Sequence, residues 1–600
     1  MLLGLNLSHD SSVALLSESG VILAAVSEER LSRKKNVVAF PKLAIASITS
    51  KFDVSGINVV VIGSHSSFRY YSMNSLHWIF EESQFPKFDG MLDKFAWPPG
   101  YCPEPQFNSA NDPSGLKREK WFKNRVELEL KKLGIQCKIV FRNHHDGHVF
   151  SAIGGSSFSE GISFSLDAEG DGESGSVKKF WVENGITKVK GIARIPKTQS
   201  LGYMYSAITN RYNFKPGVHE GKITGLAAYG VGGTALDFML RHLVIRKGIP
   251  EFSFPKTSTG RYLRQSLHKL NLGKNLVESF DNLADLAGEK SVNYPDLARA
   301  VQDCLEISVC EMVRYFAAEL KSSRVALAGG VFANVKLNQR IIELDCIEDI
   351  SIFPNMGDGG LAVGGVWDYL CSIERLDALP KFSNMYLDTY SLSNDETEEL
   401  KGKYKNLVFQ SLNQGELVQK VSNLVADSKI VGLFLGSMEF GPRALMNRSI
   451  IADPRDTEIN ITLNKRLHRT EFMPFAPVCK MSNFNQLFNT PLNSNITPFK
   501  YMTLTCSVRE EWISQIPAVV HVDNTARPQV IVAGENSMAE QILDGFYSVT
   551  GIPCLINTSF NIHEEPIVRT LEDAIRSLES GAVDYICTET YLIGLKSAFQ

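Results

Sequence analysis

The chain has 600 residues and sets 62 Lys+Arg against 66 Asp+Glu, a formal net charge of -4. At roughly 150 residues per domain that length holds more than one core. With 44% hydrophobic and 21% charged residues the composition excludes disordered, fibrous and membrane classes, and near-neutral charge argues against a chain that wraps nucleic acid by neutralising phosphates.

The opening residues meet His9 and Asp10 before any apolar core of leader length develops, so they read as a mature strand. No stretch approaches the roughly 18 apolar residues of a membrane span. The ten cysteines run from Cys102 to Cys587 without a C-x-x-C pair, as expected of reduced thiols in a cytoplasmic protein.

Short β-rich runs over 2–7, 12–16 and 21–26 are broken by His9-Asp10-Ser11 and Glu18-Ser19-Gly20. The same rhythm returns over 162–166, 177–182 and 186–192, with turns at 167–175 and at Glu183-Asn184-Gly185. Two such units, each with an acidic turn after its first strand, predict a duplicated α/β fold with a cleft between its halves. The turn-rich stretch 97–115 reads as a surface excursion. Helical spacing covers 295–321, and a buried strand over 325–328 ends in Gly329-Gly330. A polar stretch after Leu370 sets the boundary, giving domains 1–375 and 405–600 joined by a linker over 376–404. In the second domain, strands over 430–435, 519–522 and 554–556 alternate with helical patterns.

Three of the twelve histidines lie in Asn143-His144-His145-Asp146-Gly147-His148. A helix here places His144 and His148 at i and i+4, a spacing at which two neutral imidazoles bind one divalent metal; the alternative is local hydrogen bonding at a helix start. Asp167 and Asp358 lie at strand ends beside glycines and are candidates to complete the ligand set. Two His and two Asp suit Fe(II), Mn(II) or Zn(II) alike. The acidic turn residues Asp171 and Glu173 read as facing water. Gly329-Gly330, between a strand and a helix that includes Asn334, would aim backbone amides at an anion such as a nucleotide phosphate, unless it is only a turn. In the second domain Arg443, Arg448, Arg469 and Arg527 suit a small phosphorylated substrate, and Asn557-Thr558-Ser559-Phe560-Asn561 brings hydroxyl and amide groups to a strand end.

Taken together, these segments resemble the O-carbamoyltransferases that act on nodulation factors, cephalosporins, aminoglycosides and related natural products, over nearly the whole chain. The resemblance is carried by Gly4 with His9-Asp10-x-Ser12, Glu28-Glu29-Arg30, His144-His145-x-x-His148, Gly221-Lys222 with Gly225-Leu226-Ala227, Gly329-Gly330-Val331 and Gly357-Asp358-x-Gly360. In the second half it is carried by 438–449, Asp453-Pro454-Arg455, Pro474-Phe475-Ala476-Pro477, His521-Val522-Asp523, Arg527 and 557–561. It implies an actin-like (ASKHA) duplicated domain related to the tRNA threonylcarbamoyl transferases, followed by an α/β domain resembling threonylcarbamoyl-adenylate synthase.

The implied reaction has two steps. Carbamoyl phosphate and ATP, with Mg(II), give carbamoyl adenylate in the C-terminal domain, and the N-terminal domain passes the carbamoyl group to a hydroxyl of a small molecule. The resemblance assigns His144, His148, Asp167 and Asp358 to a metal, Fe(II), and Lys222, Gly329, Gly330 and Asn334 to a nucleotide. It assigns Arg443, Arg469, His521, Arg527, Asn557, Ser559 and Asn561 to carbamoyl phosphate and ATP, and His9 is the candidate for proton transfer or oxyanion stabilisation. The chain departs from the family at Leu467 and Met473, where cationic residues are usual, at Met446, usually glycine, and at Gly147, usually alanine. The expected partner is a hydroxylated natural product, contacted through 97–112 and 252–275, with an alkaloid bearing a primary alcohol among the permitted acceptors. No nucleic acid or membrane is expected, and a monomer or homodimer is the expected assembly. The alternatives are a threonylcarbamoyl-type transferase acting on tRNA and a non-catalytic nucleotide-binding actin-like module.

Overall fold

The computed structural model describes residues 1–64, 113–254, 274–376, 382, 384–469, 474–490 and 495–599. The expected acceptor-contacting stretch 97–112, most of 252–275, and Met473 lie outside the described residues. The chain folds into two compact units, one of Met1–Leu23 and Asn36–Lys381, the other of Ala24–Lys35 and Phe382–Gln600.

In the first unit, β1 (Leu2–Asn6), β2 (Ser12–Leu16), β4 (Val59–Ile62) and β5 (Lys138–Phe141) form a sheet in the order β2-β1-β4-β5, while β3 (Ile22–Ser27) starts in this unit and ends in the second. β1 is antiparallel to β2 and parallel to β4, which is parallel to β5. A second sheet uses β6 (Glu160–Gly170), β7 (Glu173–Glu183) and β8 (Ile186–Pro196). After a separate hairpin, β9 (Leu243–Arg246) and β10 (Ile249–Phe252), it continues with β11 (Arg324–Ala328) and β12 (Asp349–Ile352). Its order is β12-β11-β6-β7-β8, again with the first two strands antiparallel and the first parallel to the fourth. The internal echo is thus a true duplication, and the fold is actin-like. The parallel pairs explain why β1 is buried at every position and β4 at all but its first: strands covered on both faces are apolar throughout.

The helix Leu361–Ser372 packs against β1 and against the helix His144–Gly154. The two helices meet at backbone distance, since a Cβ on Gly364 would lie 1.9 Å from the carbonyl oxygen of Gly147. Trp367 is fully buried and donates its Nε1–H to Gly20 O at 2.7 Å. The predicted helix over 295–321 is Tyr294–Leu320, started by a capping box between Asn293 and Asp296.

The second unit is built on an eight-stranded sheet, formed by β13 (Leu407–Ser411), β14 (Val431–Phe434), β15 (Arg448–Ala452), β16 (Ala476–Lys480), β20 (Gln529–Ile531), β21 (Cys554–Ser559), β22 (Tyr585–Cys587) and β23 (Tyr591–Leu595). A three-stranded sheet of β17 (Phe488–Asn489), β18 (Cys506–Val508) and β19 (Thr525–Ala526) accompanies it. The larger sheet runs β13-β23-β22-β14-β15-β21-β16-β20.

Three local expectations change. Instead of a strand over 519–522 there is a 3-10 turn, Pro517–Val519, and then a turn in which His521 N–H donates to Thr525 O. Asn524, at φ 59°, takes the left-handed backbone this turn requires. Within the expected linker lies the helix Asn394–Lys403, capped by Ser393 and packed on β13. Finally, 24–35 belongs to the second unit. There Ala25 N–H bonds Leu387 O, buried Arg30 donates to Gly441 O at 3.0 Å, and Arg33 donates to Pro566 O and Ile567 O at 2.8 Å each. Among the described residues no helix is long and apolar enough to cross a membrane.

Candidate metal centre and anion-binding loop

The helix His144–Gly154 starts with two of its first-turn amides satisfied by side chains: Asn143 Oδ1 accepts from Asp146 N–H at 3.0 Å and Asp171 Oδ2 accepts from His144 N–H at 2.8 Å. His144 and His148, both buried, then lie on one face with their Nε2 atoms 3.1 Å apart. Asp167 lies on β6 just beyond a register break at Leu166. Its Oδ1 accepts from Ala168 N–H at 2.6 Å and its Oδ2 from Gly330 N–H at 2.9 Å. Gly329 allows that approach; at φ 102° and with Leu166 O 2.2 Å from where a Cβ would be, no other residue fits. Asp358 opens the 3-10 turn Asp358–Gly360 after β12. It is buried, and its Oδ2 accepts from Ser8 Oγ at 2.6 Å.

The remaining separations are His148 Nε2 to Asp167 Oδ2 at 3.4 Å, His148 Nε2 to Asp358 Oδ1 at 3.5 Å and His144 Nε2 to Asp358 Oδ1 at 3.6 Å. One donor atom from each of the four residues lies within 4.8 Å of all the others. Bonds of about 2.0–2.2 Å around one ion put neighbouring donors about 2.9–3.6 Å apart in octahedral or tetrahedral geometry. The observed edges fit. Asp358 Oδ1 is moreover buried with no hydrogen-bond partner, a cost that an ion would relieve. The residues therefore suit a divalent metal.

Without an ion the charges are arranged around the carboxylates. His9, half-exposed on the β1–β2 turn, has Nε2 3.4 Å from Asp358 Oδ2 and Nδ1 3.1 Å from Asp10 Oδ2. Asp10 is itself held by Asn36 Nδ2 at 2.8 Å. Asp358 is the main reason His9 is pushed up to about 10, and solvent on the outer face of the ring screens part of that attraction. Burial pulls His148 down, but attraction to Asp167 and Asp358 outweighs it and raises the group to about 9. Burial likewise opposes ionisation of Asp167, and His148 overcomes it, bringing the carboxyl to about 2.

Two contributors escape the sequence reading. Asp171, read as water-facing, caps the ligand helix, and Ser8, unremarked beside His9, holds Asp358; the chain spacing of either residue to its partner carries no signal.

Of the expected nucleotide residues, Gly330 gives its amide to Asp167. Asn334 caps the helix Val335–Ile342 and exchanges hydrogen bonds with Gln302 at 2.8 and 3.1 Å. Lys222 is buried on the helix Glu220–Ala227 with its Nζ 5.4 Å from the Phe214 ring centre.

In the second unit, the loop before β15 is organised by buried Glu439, whose Oε1 accepts from the amides of Leu445, Asn447 and Arg448 at 2.7, 2.9 and 3.1 Å. Arg443 rides on this loop. Arg448 is internal: it stacks 3.7 Å over Phe434 and donates to Leu435 O and Gly436 O. Asn557 ties the loop to β20 by donating to Ala444 O at 3.1 Å and Gln529 Oε1 at 2.5 Å. Arg469 reaches the end of β21, donating to Thr558 Oγ1 at 2.8 Å, Ser559 O at 3.0 Å and Asn561 Oδ1 at 2.7 Å. His521 Nδ1 faces Asp523 Oδ1 at 3.4 Å. Arg469, Ser559 and Asn561 thus meet in one cluster, and Arg443 shares a loop with the contact of Asn557. Arg527 lies two residues before Gln529, the partner of Asn557, and is half-buried.

Comparison with known proteins gives a consistent answer. The chain is 30% identical to the protein sll1178 of Synechocystis sp., covering 99% of this chain and 96% of that one. It is 27% identical to the nodulation protein NolNO of Sinorhizobium fredii (98% and 79%), and 25% identical to the 3'-hydroxymethylcephem-O-carbamoyltransferase of Amycolatopsis lactamdurans (76% and 81%). Residues 1–366 match the family described as carbamoyltransferase N-terminus and residues 422–594 that described as carbamoyltransferase C-terminus. The chain belongs to the carbamoyltransferase family.

Proposed function

We propose that this transferase is an ATP-dependent O-carbamoyltransferase of a hydroxylated small-molecule natural product. Water hydrolyses carbamoyl phosphate to carbamate and inorganic phosphate, and a carbamate oxygen then bonds to the α-phosphorus of ATP as the bond to pyrophosphate breaks. The acceptor oxygen then bonds to the carbamoyl carbon, and AMP leaves. The observation that carries this reading is the convergence of His144, His148, Asp167 and Asp358 with His9 at its open side. A divalent ion in that set, Fe(II) by the family resemblance, would supply Lewis-acid polarisation of a bound oxygen.

The chain's own groups do the rest. Ser8 orients Asp358, Gly330 orients Asp167, and His9 holds or moves a proton at Nε2 beside the reacting oxygen. In the second unit Arg443 and Arg527 offer guanidinium groups to phosphate, with Arg469 bracing the 557–561 strand end. The test is to incubate the metal-loaded full chain with ATP, carbamoyl phosphate and a panel of hydroxylated natural products. AMP release together with a mass gain of one carbamoyl group on an acceptor is expected. Failure to form carbamoyl adenylate, or AMP release that needs tRNA as acceptor, would overturn the reading.

A further inference from the structure

His145, between the two metal-ligand candidates, is fully buried, with its ring centre 5.1 Å from that of His144 and 6.2 Å from that of His148. Its Nδ1 is 2.8 Å from Ser165 Oγ, and Ser165 is also fully buried, on β6. Side chains two apart on a strand share a face, so Ser163, Ser165 and Asp167 form successive rungs beneath the same helix. Each meets it: Ser163 Oγ donates to Val149 O at 3.4 Å, Ser165 bonds His145, and Asp167 Oδ2 faces His148 Nε2 at 3.4 Å. A helix lying on an apolar strand face has little to stop it sliding by a fraction of a turn, because dispersion contacts are non-directional. Directional polar pairs inside such an interface set register, which is the best-attested use of buried polarity, and of the three here the His145–Ser165 pair is the shortest. The pair lies one residue from His144 along the helix and two from Asp167 along the strand, so a slide of either element changes the 3.4 Å edge between the imidazole and carboxylate donors.

We infer that the buried His145–Ser165 hydrogen bond is a positioning contact that holds the helix bearing His144 and His148 in register with the strand bearing Asp167, and so sets the affinity and geometry of the divalent-metal site. The inference rests on the metal reading above.

The test uses the metal-stripped full chain titrated with Co(II), following both the dissociation constant and the d–d absorption band. The variants are Ser165→Ala and His145→Leu, which remove the bond, and His145→Asn, which keeps a hydrogen-bonding atom near the Nδ1 position. Loss of an outer partner of a metal ligand weakens binding about 10–100-fold. That loss, with a shifted absorption band, is expected for the first two, and near-native values for His145→Asn. Unfolding midpoints of the metal-free forms separate register from stability. If Ser165→Ala and His145→Leu lower the midpoint but keep native Co(II) affinity and spectrum, the bond is only structural and the inference falls. If the unaltered chain takes up no Co(II), the metal reading itself falls and takes the inference with it.

Discussion

His144 and His148 stand one helical turn apart with their Nε2 atoms 3.1 Å from each other and both within 3.6 Å of Asp358 Oδ1. Two imidazoles and an unpartnered carboxylate oxygen at these distances leave each other poorly satisfied unless a cation or protons sit among them. Replacing either His144 or His148 by Ala should therefore weaken divalent-metal binding by more than the about 100-fold that loss of an outer partner can cause. Metal titration of the stripped chain checks this, with the unfolding midpoint confirming that the variant still folds.

Protons and metal compete for this site. His148, raised to about 9, is protonated at neutral pH in the metal-free chain, so metal uptake at pH 7 should release protons and weaken as pH falls. Calorimetry in buffers of different ionisation enthalpy measures the release. The same shift makes a stability prediction for the metal-free chain. His148 contributes stability that is fully present below about 6.5 and is lost as pH rises through about 9, whereas Asp167 contributes stability present above about 3.8 and lost as pH falls toward about 2. Denaturant unfolding should show the first loss between pH 6.5 and 9.5, and His148→Gln should flatten that limb.

His9 touches Asp358 but is not among the four donors. His9→Gln should leave metal affinity within a few-fold of native, and adenylate formation unchanged, while slowing transfer to the acceptor by about 100-fold or more, the usual scale of a lost proton-transfer group. Pyrophosphate release and carbamoylated product, measured in parallel, separate the two steps.

The loop carrying Arg443 depends on Glu439. Glu439→Ala would leave three buried N–H groups without their acceptor, at about 1–3 kcal/mol each. A loss of at least about 3 kcal/mol is expected by denaturant unfolding, and Glu439→Gln, which keeps an acceptor oxygen, should recover most of it.

Gly364→Ala tests the helix crossing behind the metal site. Its Cβ would sit 1.9 Å from Gly147 O, so the helices must separate. Overpacking of this kind costs about 1–3 kcal/mol, occasionally more, and the unfolding midpoint should fall accordingly. Metal affinity should fall with it, because Gly147 lies between two of the ligands in sequence.

What could be read along the chain was local or periodic. The spacing of His144 and His148 becomes a helical face because an Asn cap opens the segment and burial of Val149, Phe150, Ala152 and Ile153 outweighs the weak helix propensity of His, Asp and Gly. The strand rhythm repeated because each half must bury the same kind of sheet. A strand over 519–522 was misread for the same reason: its apolar residues suited a strand, while Pro517 and the left-handed Asn524 turn the backbone away from the ladder.

By itself the sequence determined the kinds of donor, the duplicated α/β plan and the family resemblance. These depend on residue type and short-range spacing. Tertiary structure alone decided that Asp167 and Asp358 meet the two histidines, that the Gly330 amide serves Asp167, that Arg448 is internal, and that 24–35 folds with the second unit. Those outcomes follow from strand order and from how closely helices approach across glycines. Both are set by burial summed over the whole core, which no local window of the chain contains.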